Sequence, residues 1–219
     1  MEEKKAVTPE KSKIDWKGFL SFKSFAWLGI VLFAFDLITK WVIQGTLKTD
    51  GTSVSVIDGF WYLTLTHNTF AAFGNFFSID EGNTALIVAV RILLIVVSWG
   101  MSIVIVWYWG TRLKKKDALL NAIMALLFAG AVGNLIDRTF YWSQTVGFDG
   151  VIDFMCFYLR GTANEPFAIF NVADACLSIG IAMLIVVIVI RDYFKNKNET
   201  AAEQKKEQLG DDPKDHKDQ

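Results

Sequence analysis

Four long apolar stretches dominate the pattern of hydrophobic and polar positions along the chain. A membrane-spanning helix needs about 20 mostly apolar residues, and four stretches reach that length, at about 24–44, 84–110, 118–137 and 167–190. The pattern predicts an all-α membrane protein built as a four-transmembrane-helix bundle. The first span carries charges and lacks a small-residue cleavage site, so we expect it to remain in the mature protein.

The segments outside the spans differ in charge. Lys and Arg cluster in 1–23, between the second and third spans, and in 191–219, whereas the connections 45–83 and 138–166 hold few. Positive residues accumulate on the cytoplasmic side, so both termini are expected to be cytoplasmic and the two connections extracytoplasmic. We interpret 1–23 as a cytoplasmic or interfacial segment. The Glu, Lys, Asp and Gln of 191–219 predict a disordered cytoplasmic tail.

The first outer connection has a strand pattern. From Thr52 onward it is rich in Val, Thr, Trp and Tyr, and Asp58-Gly59 is a turn signal. We therefore expect a small β-rich element at 45–83 on the extracytoplasmic side.

Composition excludes several classes of function. The chain has 219 residues, 53% of them hydrophobic, and a net charge of −1, so no basic excess suggests nucleic acid as a partner. Two Cys residues without a C-x-x-C and two distant His residues do not predict a metal site. We expect neither a metal nor another cofactor.

The polar side chains within the spans lie toward their outer ends. Such residues are costly in a membrane and are usually functional; they are Asp36, Thr39, Lys40, Arg91, Asn134, Asp137, Asn171, Asp174 and Ser178. Residues three or four apart share a helix face, so each span should present one polar stripe to the bundle interior. The inner halves are uncharged, which predicts a pocket open to the outside. If the fourth span begins at 167, Asp174 lies about 10 Å below its start.

Structural roles also explain part of this pattern. Asp36 and Lys40, four residues apart, could be a simple ion pair, and Asp137 with Arg138 could pin the third span to an outer loop. The asparagines within the spans could be interhelical hydrogen-bond partners.

Two aspartates are harder to explain by structure alone. Asp174 has no cation three or four residues away in its helix, and Asp153 sits in the second outer loop between Ile152 and Phe154, where burial would raise its pKa. Two carboxyl groups held together share a proton, so that one acts as base and the other as acid in peptide hydrolysis. Together they suggest a dyad that needs neither metal nor covalent nucleophile.

Five motifs resemble those of the bacterial lipoprotein signal peptidase (signal peptidase II) family, in order and in spacing. They are DLITK (Asp36 to Lys40), HNTFAAFG (His67 to Gly74), GAVGNLIDR (Gly130 to Arg138), VIDF (Val151 to Phe154) and FNVAD (Phe170 to Asp174). The resemblance covers about residues 25–190 and implies a peptidase domain at 24–190. Phe70 stands where the family usually has Gly, so we expect a different local loop there.

The resemblance implies a membrane aspartic endopeptidase with Asp153 and Asp174 as catalytic dyad. It implies substrate-positioning or site-supporting roles for Asn68, Asn134, Arg138, Asn171, Asp36, Lys40 and Asp137. The expected substrates are prolipoproteins, cut before a diacylglyceryl-modified Cys in contact with membrane lipids. The resemblance also implies that no cofactor is needed, that globomycin inhibits, and that the site of a bacterial cytoplasmic-membrane protein faces the extracytoplasmic side.

Two other classes of function remain open. A proton- or ion-coupled transporter also carries charged residues within its spans, although the uncharged inner halves argue against a path across the membrane. A non-enzymatic scaffold would use the polar stripes only to hold its helices together.

Overall fold

The computed structural model describes residues 18, 21–48, 51–68, 84–112, 117–140, 150–159 and 166–210. Its helices are α1 (Ala26–Thr46), α2 (Thr84–Arg112), α3 (Ala118–Phe140) and α4 (Val172–Gly210), and a short 3₁₀ turn, Phe22–Ser24, precedes α1. Among these residues, all four helices are long and apolar enough to cross a membrane. The predicted four-helix membrane fold is therefore confirmed.

A four-stranded antiparallel sheet accompanies the helices. Its strands are β1 (Val54–Ile57), β2 (Trp61–Asn68), β3 (Val151–Phe157) and β4 (Ala168–Phe170), and they lie side by side in that order. The β1–β2 hairpin is the predicted β-rich element, and Gly59 in its turn has the φ of 72° that glycine tolerates. β3 lies in the connection 138–166, which was predicted to be a loop, and β4 occupies the first residues of the predicted fourth span. The first four residues of β3 are all buried, so β3 lacks the alternation that reveals a half-exposed strand.

The start of α4 differs from the prediction. Residues 168–170 pair with β3, so the helix begins at Val172 rather than near 167. Asp174 consequently lies in the first turn of α4. The predicted depth of about 10 Å was wrong because a strand occupies the first apolar residues of the stretch.

Helix α3 packs against both α1 and α2 and is the most buried of the four. Its two glycines let neighbours approach closely. A Cβ at Gly130 would meet the carbonyl oxygen of Ala173 and the side chain of Leu177, and one at Gly133 would lie 2.6 Å from Asp36 Oδ2. This close packing brings the polar groups of α1, α3 and α4 together.

The sheet joins this bundle through an apolar cluster. Ile43 of α1 packs with Leu65 of β2 and with Ile152 and Phe154 of β3. Ile152 and Phe154 flank Asp153 in the sequence, so their packing fixes the strand segment that carries this carboxylate.

Residues 191–210 are helical, whereas the sequence predicted a disordered tail from residue 191 onward. Residues Ile181–Gln219 form a unit separate from Met1–Gly180, and the helix continues through its described part to Gly210. Glu, Lys, Gln and Ala are good helix formers, and Lys195 forms an ion pair with Glu199 one turn later at 3.8 Å. A helix already begun by an apolar span can continue through such a sequence without a core of its own.

Candidate active site

Asp153 is a buried strand residue held by two asparagines. It lies in β3 directly opposite Thr66 of β2 and is 3% exposed. Its Oδ2 accepts a hydrogen bond from Asn68 Nδ2 at 3.0 Å, and its Oδ1 accepts one from Asn171 Nδ2 at 2.7 Å. Both oxygens are therefore fixed in direction.

The pKa of Asp153 is raised to about 7, chiefly by burial and secondly by the charge of nearby Asp174. The hydrogen bond from Asn68, the charge of Lys40 and the hydrogen bond from Asn171 act in the opposite sense but are smaller. Asp153 is thus a carboxyl group that can carry a proton near neutral pH.

Asp174 is half-buried at the start of α4. Its backbone N–H donates to Asn171 Oδ1 at 2.9 Å, while the backbone N–H of Asn171 donates to Asp174 Oδ2 at 3.3 Å. This reciprocal pair has the form of a helix capping box. The other oxygen, Oδ1, accepts from Asn134 Nδ2 at 2.7 Å.

A chain of side-chain hydrogen bonds connects the two carboxyl groups. Asn171 is fully buried, and besides Asp153 its Nδ2 lies 3.1 Å from Asn134 Oδ1 and 3.3 Å from the carbonyl oxygen of Ile152. Because Asn134 donates to Asp174, the order is Asp153, Asn171, Asn134, Asp174. The two aspartates that the sequence proposed as a pair belong to one network.

Lys40 adjoins this network and is fully buried. Its Nζ is 2.7 Å from Asp36 Oδ2 and 2.8 Å from Asp137 Oδ2, and it donates to Asn134 Oδ1 at 3.1 Å. The suggested Asp36–Lys40 ion pair is therefore present, with a second carboxylate added from α3.

Arg138 does not share the contacts of its neighbour Asp137. Arg138 Nη1 donates to Ser98 Oγ of α2 at 3.1 Å, whereas Asp137 accepts from the backbone N–H of Ile152 at 3.4 Å. Among the described residues, the suggested link from the third span to an outer segment is made by Asp137. Ser98 was missed because one serine in a long apolar helix is an ordinary observation.

Two members of the predicted polar stripes lie outside the network. The Thr39 hydroxyl donates to the carbonyl oxygens of Phe35 and Asp36 in its own helix, and the side chain of Ser178 is exposed. The side chain of Arg91, and Phe70 with its loop, lie outside the described residues.

Seven residues predicted to position substrate or support the site are now located: Asn68, Asn134, Arg138, Asn171, Asp36, Lys40 and Asp137. Asn68, Asn134 and Asn171 bind one or both aspartates directly, and Lys40 binds Asn134. Asp36 and Asp137 are one step further away, as partners of Lys40, and Arg138 donates to Ser98 of α2. Within the described residues, no three His, Cys, Asp or Glu side chains group in a way that could hold a metal ion. What the network provides is a pair of carboxyl groups with fixed orientation, suited to acid–base chemistry on a water molecule.

Known proteins match this chain in sequence and in fold. A family model described as Signal peptidase (SPase) II matches residues 28–190. The lipoprotein signal peptidase of Bacillus pumilus is 32% identical over 173 residues, which cover 79% of this chain and 96% of that protein. That of Actinobacillus succinogenes is 34% identical over 181 residues, covering 83% and 96%.

Two solved structures also resemble it. A bacterial membrane enzyme determined by the in meso method at 2.3 Å resolution has a TM-score of 0.59 and 27% identity, over 77% of this chain and 89% of that one. Another, at 1.9 Å resolution, has a TM-score of 0.57 and 28% identity, over 82% and 97%.

Proposed function

Since the chain belongs to the signal peptidase II family, we propose that it removes the signal peptide of prolipoproteins with Asp153 and Asp174 as its catalytic pair. Cleavage takes place before the diacylglyceryl-modified Cys. The observation that carries this proposal is the hydrogen-bond chain through Asn171 and Asn134, which orients both carboxyl groups within one network.

The two aspartates have different surroundings, which support different roles for them in the reaction. Asp174 lies in the first turn of α4, where the helix dipole stabilises negative charge, and it accepts hydrogen bonds from Asn134 and Asn171. It acts as the base. Asp153, whose pKa burial raises to about 7, begins the reaction with its proton and acts as the acid.

Hydrolysis then proceeds without a covalent intermediate. Asp174 removes a proton from water, the water oxygen attacks the scissile carbonyl carbon, and Asp153 gives its proton to the carbonyl oxygen. In the second step Asp174 passes its proton to the leaving nitrogen, the C–N bond breaks, and Asp153 takes a proton back from the new carboxyl group. The products are the signal peptide and an apolipoprotein that begins with the modified Cys.

The proposed site faces the extracytoplasmic side of a bacterial cytoplasmic membrane, with both termini inside. The distribution of Lys and Arg along the chain supports this orientation. The site lies where strand β3 meets the start of α4 and the C-terminal parts of α1 and α3, at a level that a substrate helix and its lipid chains would reach from the bilayer. Membrane lipids are therefore expected contacts, and globomycin is the expected inhibitor.

The decisive experiment is cleavage of a diacylglyceryl-modified prolipoprotein by the purified protein. Mass spectrometry should find a product beginning at the modified Cys, globomycin should prevent it, and the unmodified precursor should stay uncut. Asp153→Asn and Asp174→Asn should each abolish cleavage while the protein stays folded. The matched control is Asp58→Asn, because Asp58 is exposed in the hairpin turn, where its Oδ1 accepts a hydrogen bond from the Tyr62 hydroxyl. Cleavage by either site variant would refute the proposed dyad.

A further inference from the structure

The ammonium group of Lys40 sits between three acceptors from two helices. Asp36 of α1 and Asp137 of α3 are ion-paired to it, and Asn134 of α3 accepts a hydrogen bond from it. An ammonium has three N–H donors, which equals the number of these oxygen partners. We name Lys40, Asp36 and Asp137 the Lys40 clamp.

Each carboxylate of the Lys40 clamp also holds one backbone N–H. Asp36 Oδ1 accepts from the N–H of Ala173 at 2.8 Å, and Asp137 Oδ2 accepts from the N–H of Ile152 at 3.4 Å. Ala173 immediately precedes Asp174, and Ile152 immediately precedes Asp153. One cation thus ties together the two backbone segments that carry the aspartates.

The third acceptor fixes an amide. Asn134 Oδ1 accepts from Lys40 Nζ and from Asn171 Nδ2, so Nδ2 of Asn134 must face Asp174. A flipped amide would place its NH₂ against an ammonium and a second NH₂, and its oxygen against a carboxylate. All three hydrogen bonds would be lost, so the network determines the orientation.

Stability is a poor explanation for this arrangement. Removing three charges from water is expensive, and buried ion clusters can often be replaced by apolar residues at little loss of stability. What a buried ion cluster does provide is a defined geometry, because charged partners tolerate few arrangements. In this protein the cluster fixes the backbone segments that carry Asp153 and Asp174.

We propose that Lys40 is a positioning residue for the peptidase reaction, setting the separation and orientation of Asp153 and Asp174 through Asp36, Asp137 and Asn134. The proposal rests on the proposed function, since it assumes that these two aspartates do the chemistry. Its consequence is that loosening the clamp lowers kcat rather than raising KM, because no clamp residue needs to touch substrate for this effect.

A matched pair of substitutions separates positioning from charge. Asp36 uses different oxygens for Lys40 and for Ala173, so Asp36→Asn can keep only one contact. Asp137 uses Oδ2 for both Lys40 and Ile152, so the oxygen of Asp137→Asn can keep both. Each change removes one negative charge. We expect kcat to fall on the order of 100-fold in Asp36→Asn and on the order of tenfold in Asp137→Asn.

The dependence of kcat/KM on pH distinguishes misplaced aspartates from a loss of folded protein, because losing folded protein lowers the rate without changing the shape of the profile. Two coupled carboxyl groups titrate as a pair, and their interaction separates the acid and alkaline limbs of kcat/KM. The charged groups around the pair are Asp36, Lys40, Asp137 and Arg138. Losing one nearby negative charge shifts the acid and alkaline limbs in the same direction. Moving Asp153 and Asp174 apart weakens their interaction and so brings the two limbs closer together. We expect a narrower profile in Asp36→Asn than in Asp137→Asn.

The third variant replaces the whole clamp with apolar residues: Asp36→Leu, Lys40→Met and Asp137→Leu together. We expect a folded protein by thermal shift in detergent, with KM within about threefold and kcat reduced on the order of 100-fold per folded molecule. Wild-type kcat and pH profile in this variant would overturn the proposal. If it does not fold, the matched pair decides, and equal kcat losses and equal profiles in Asp36→Asn and Asp137→Asn would overturn it. Activity in Asp153→Asn would instead overturn the proposed function.

Discussion

Asn171 and Asp174 exchange hydrogen bonds across the first turn of α4, each backbone N–H donating to the side-chain oxygen of the other residue. The side-chain Nδ2 of the same Asn171 donates to Asp153 Oδ1 at 2.7 Å. The residue that begins the helix of one aspartate therefore also orients the other. Helix capping and acid–base geometry depend on one side chain.

Two substitutions at Asn171 should separate these roles. Asn171→Ser keeps an oxygen that can cap the helix, whereas Asn171→Ala does not, so Asn171→Ala should be the less stable of the two by about 1 kcal/mol. Neither supplies the amide that donates to Asp153, and both should lose kcat on the order of 100-fold. Thermal shift and cleavage assays in the same detergent measure the two effects. Recovery of activity by Asn171→Ser would show that the amide is dispensable.

The raised pKa of Asp153 should make stability fall as pH rises. Its pKa is about 7 in the folded protein instead of the ordinary 3.8, so between these values the folded state keeps a proton that the unfolded chain has released. Unfolding then releases the proton, and higher pH favours it. The full effect is on the order of 4 kcal/mol, lost between about pH 4 and pH 7.

Asp153→Asn provides the reference for this effect, because Asn does not titrate. The melting temperature of wild type minus that of Asp153→Asn should decrease as pH rises from about 4 to 7 and then level off. Asp58→Asn, in the exposed hairpin turn, should follow wild type throughout. A constant difference between wild type and Asp153→Asn would mean that Asp153 is ionised over this whole range.

Local spacing explains how much of the site could be predicted from the sequence. Asp36 and Lys40 are four residues apart, so one helix face already suggested their ion pair. The contact from Lys40 to Asn134 joins residues 94 positions apart, which no helical period can indicate. The sequence identified the polar residues, but tertiary packing decided which carboxylate met the cation.

Strands β3 and β4 show the other limit. Asp153 was predicted to be a loop residue because its buried strand does not alternate between apolar and polar residues. The apolar run before Asn171 was predicted to be helical because hydrophobic periodicity alone does not distinguish a short strand from a buried helix. The mistaken start of α4 then placed Asp174 too deep. A strand whose successive residues are all buried, such as the start of β3, and a strand of three residues, such as β4, both lack the alternation from which a strand is inferred.

An aromatic stack should stabilise the sheet that carries Asp153. The ring of Phe157 stacks on Trp61 at 5.7 Å and on Phe170 at 5.4 Å between centroids, and meets Phe60 edge-on at 5.4 Å. Phe157→Leu should lower stability by about 1–3 kcal/mol, since such pairs contribute about 0.5–1.5 kcal/mol each. The matched control is Phe167→Leu, because Phe167 is 66% exposed. Equal melting temperatures for the two variants would contradict a stabilising stack.

At Gly133 even the smallest side chain, a methyl group, should destabilise the protein. A Cβ there would lie 2.6 Å from Asp36 Oδ2 and 2.9 Å from Ala173 Cβ. Neither neighbour can withdraw freely, because Asp36 is ion-paired to Lys40 and accepts the N–H of Ala173. Gly133→Ala should therefore cost about 1–3 kcal/mol of stability.

The same substitution should also reduce cleavage, because Ala173 precedes Asp174 and a displacement of about 1 Å can cost on the order of 100-fold in rate. Gly100→Ala in α2 is the matched control: among the described residues nothing lies within 4 Å of its added Cβ. Ala is favoured over Gly inside a helix by about 0.5–1 kcal/mol, so Gly100→Ala should be at least as stable as wild type and equally active. Wild-type cleavage by a folded Gly133→Ala would mean that α3 can move away from α1 and α4 without disturbing the aspartates.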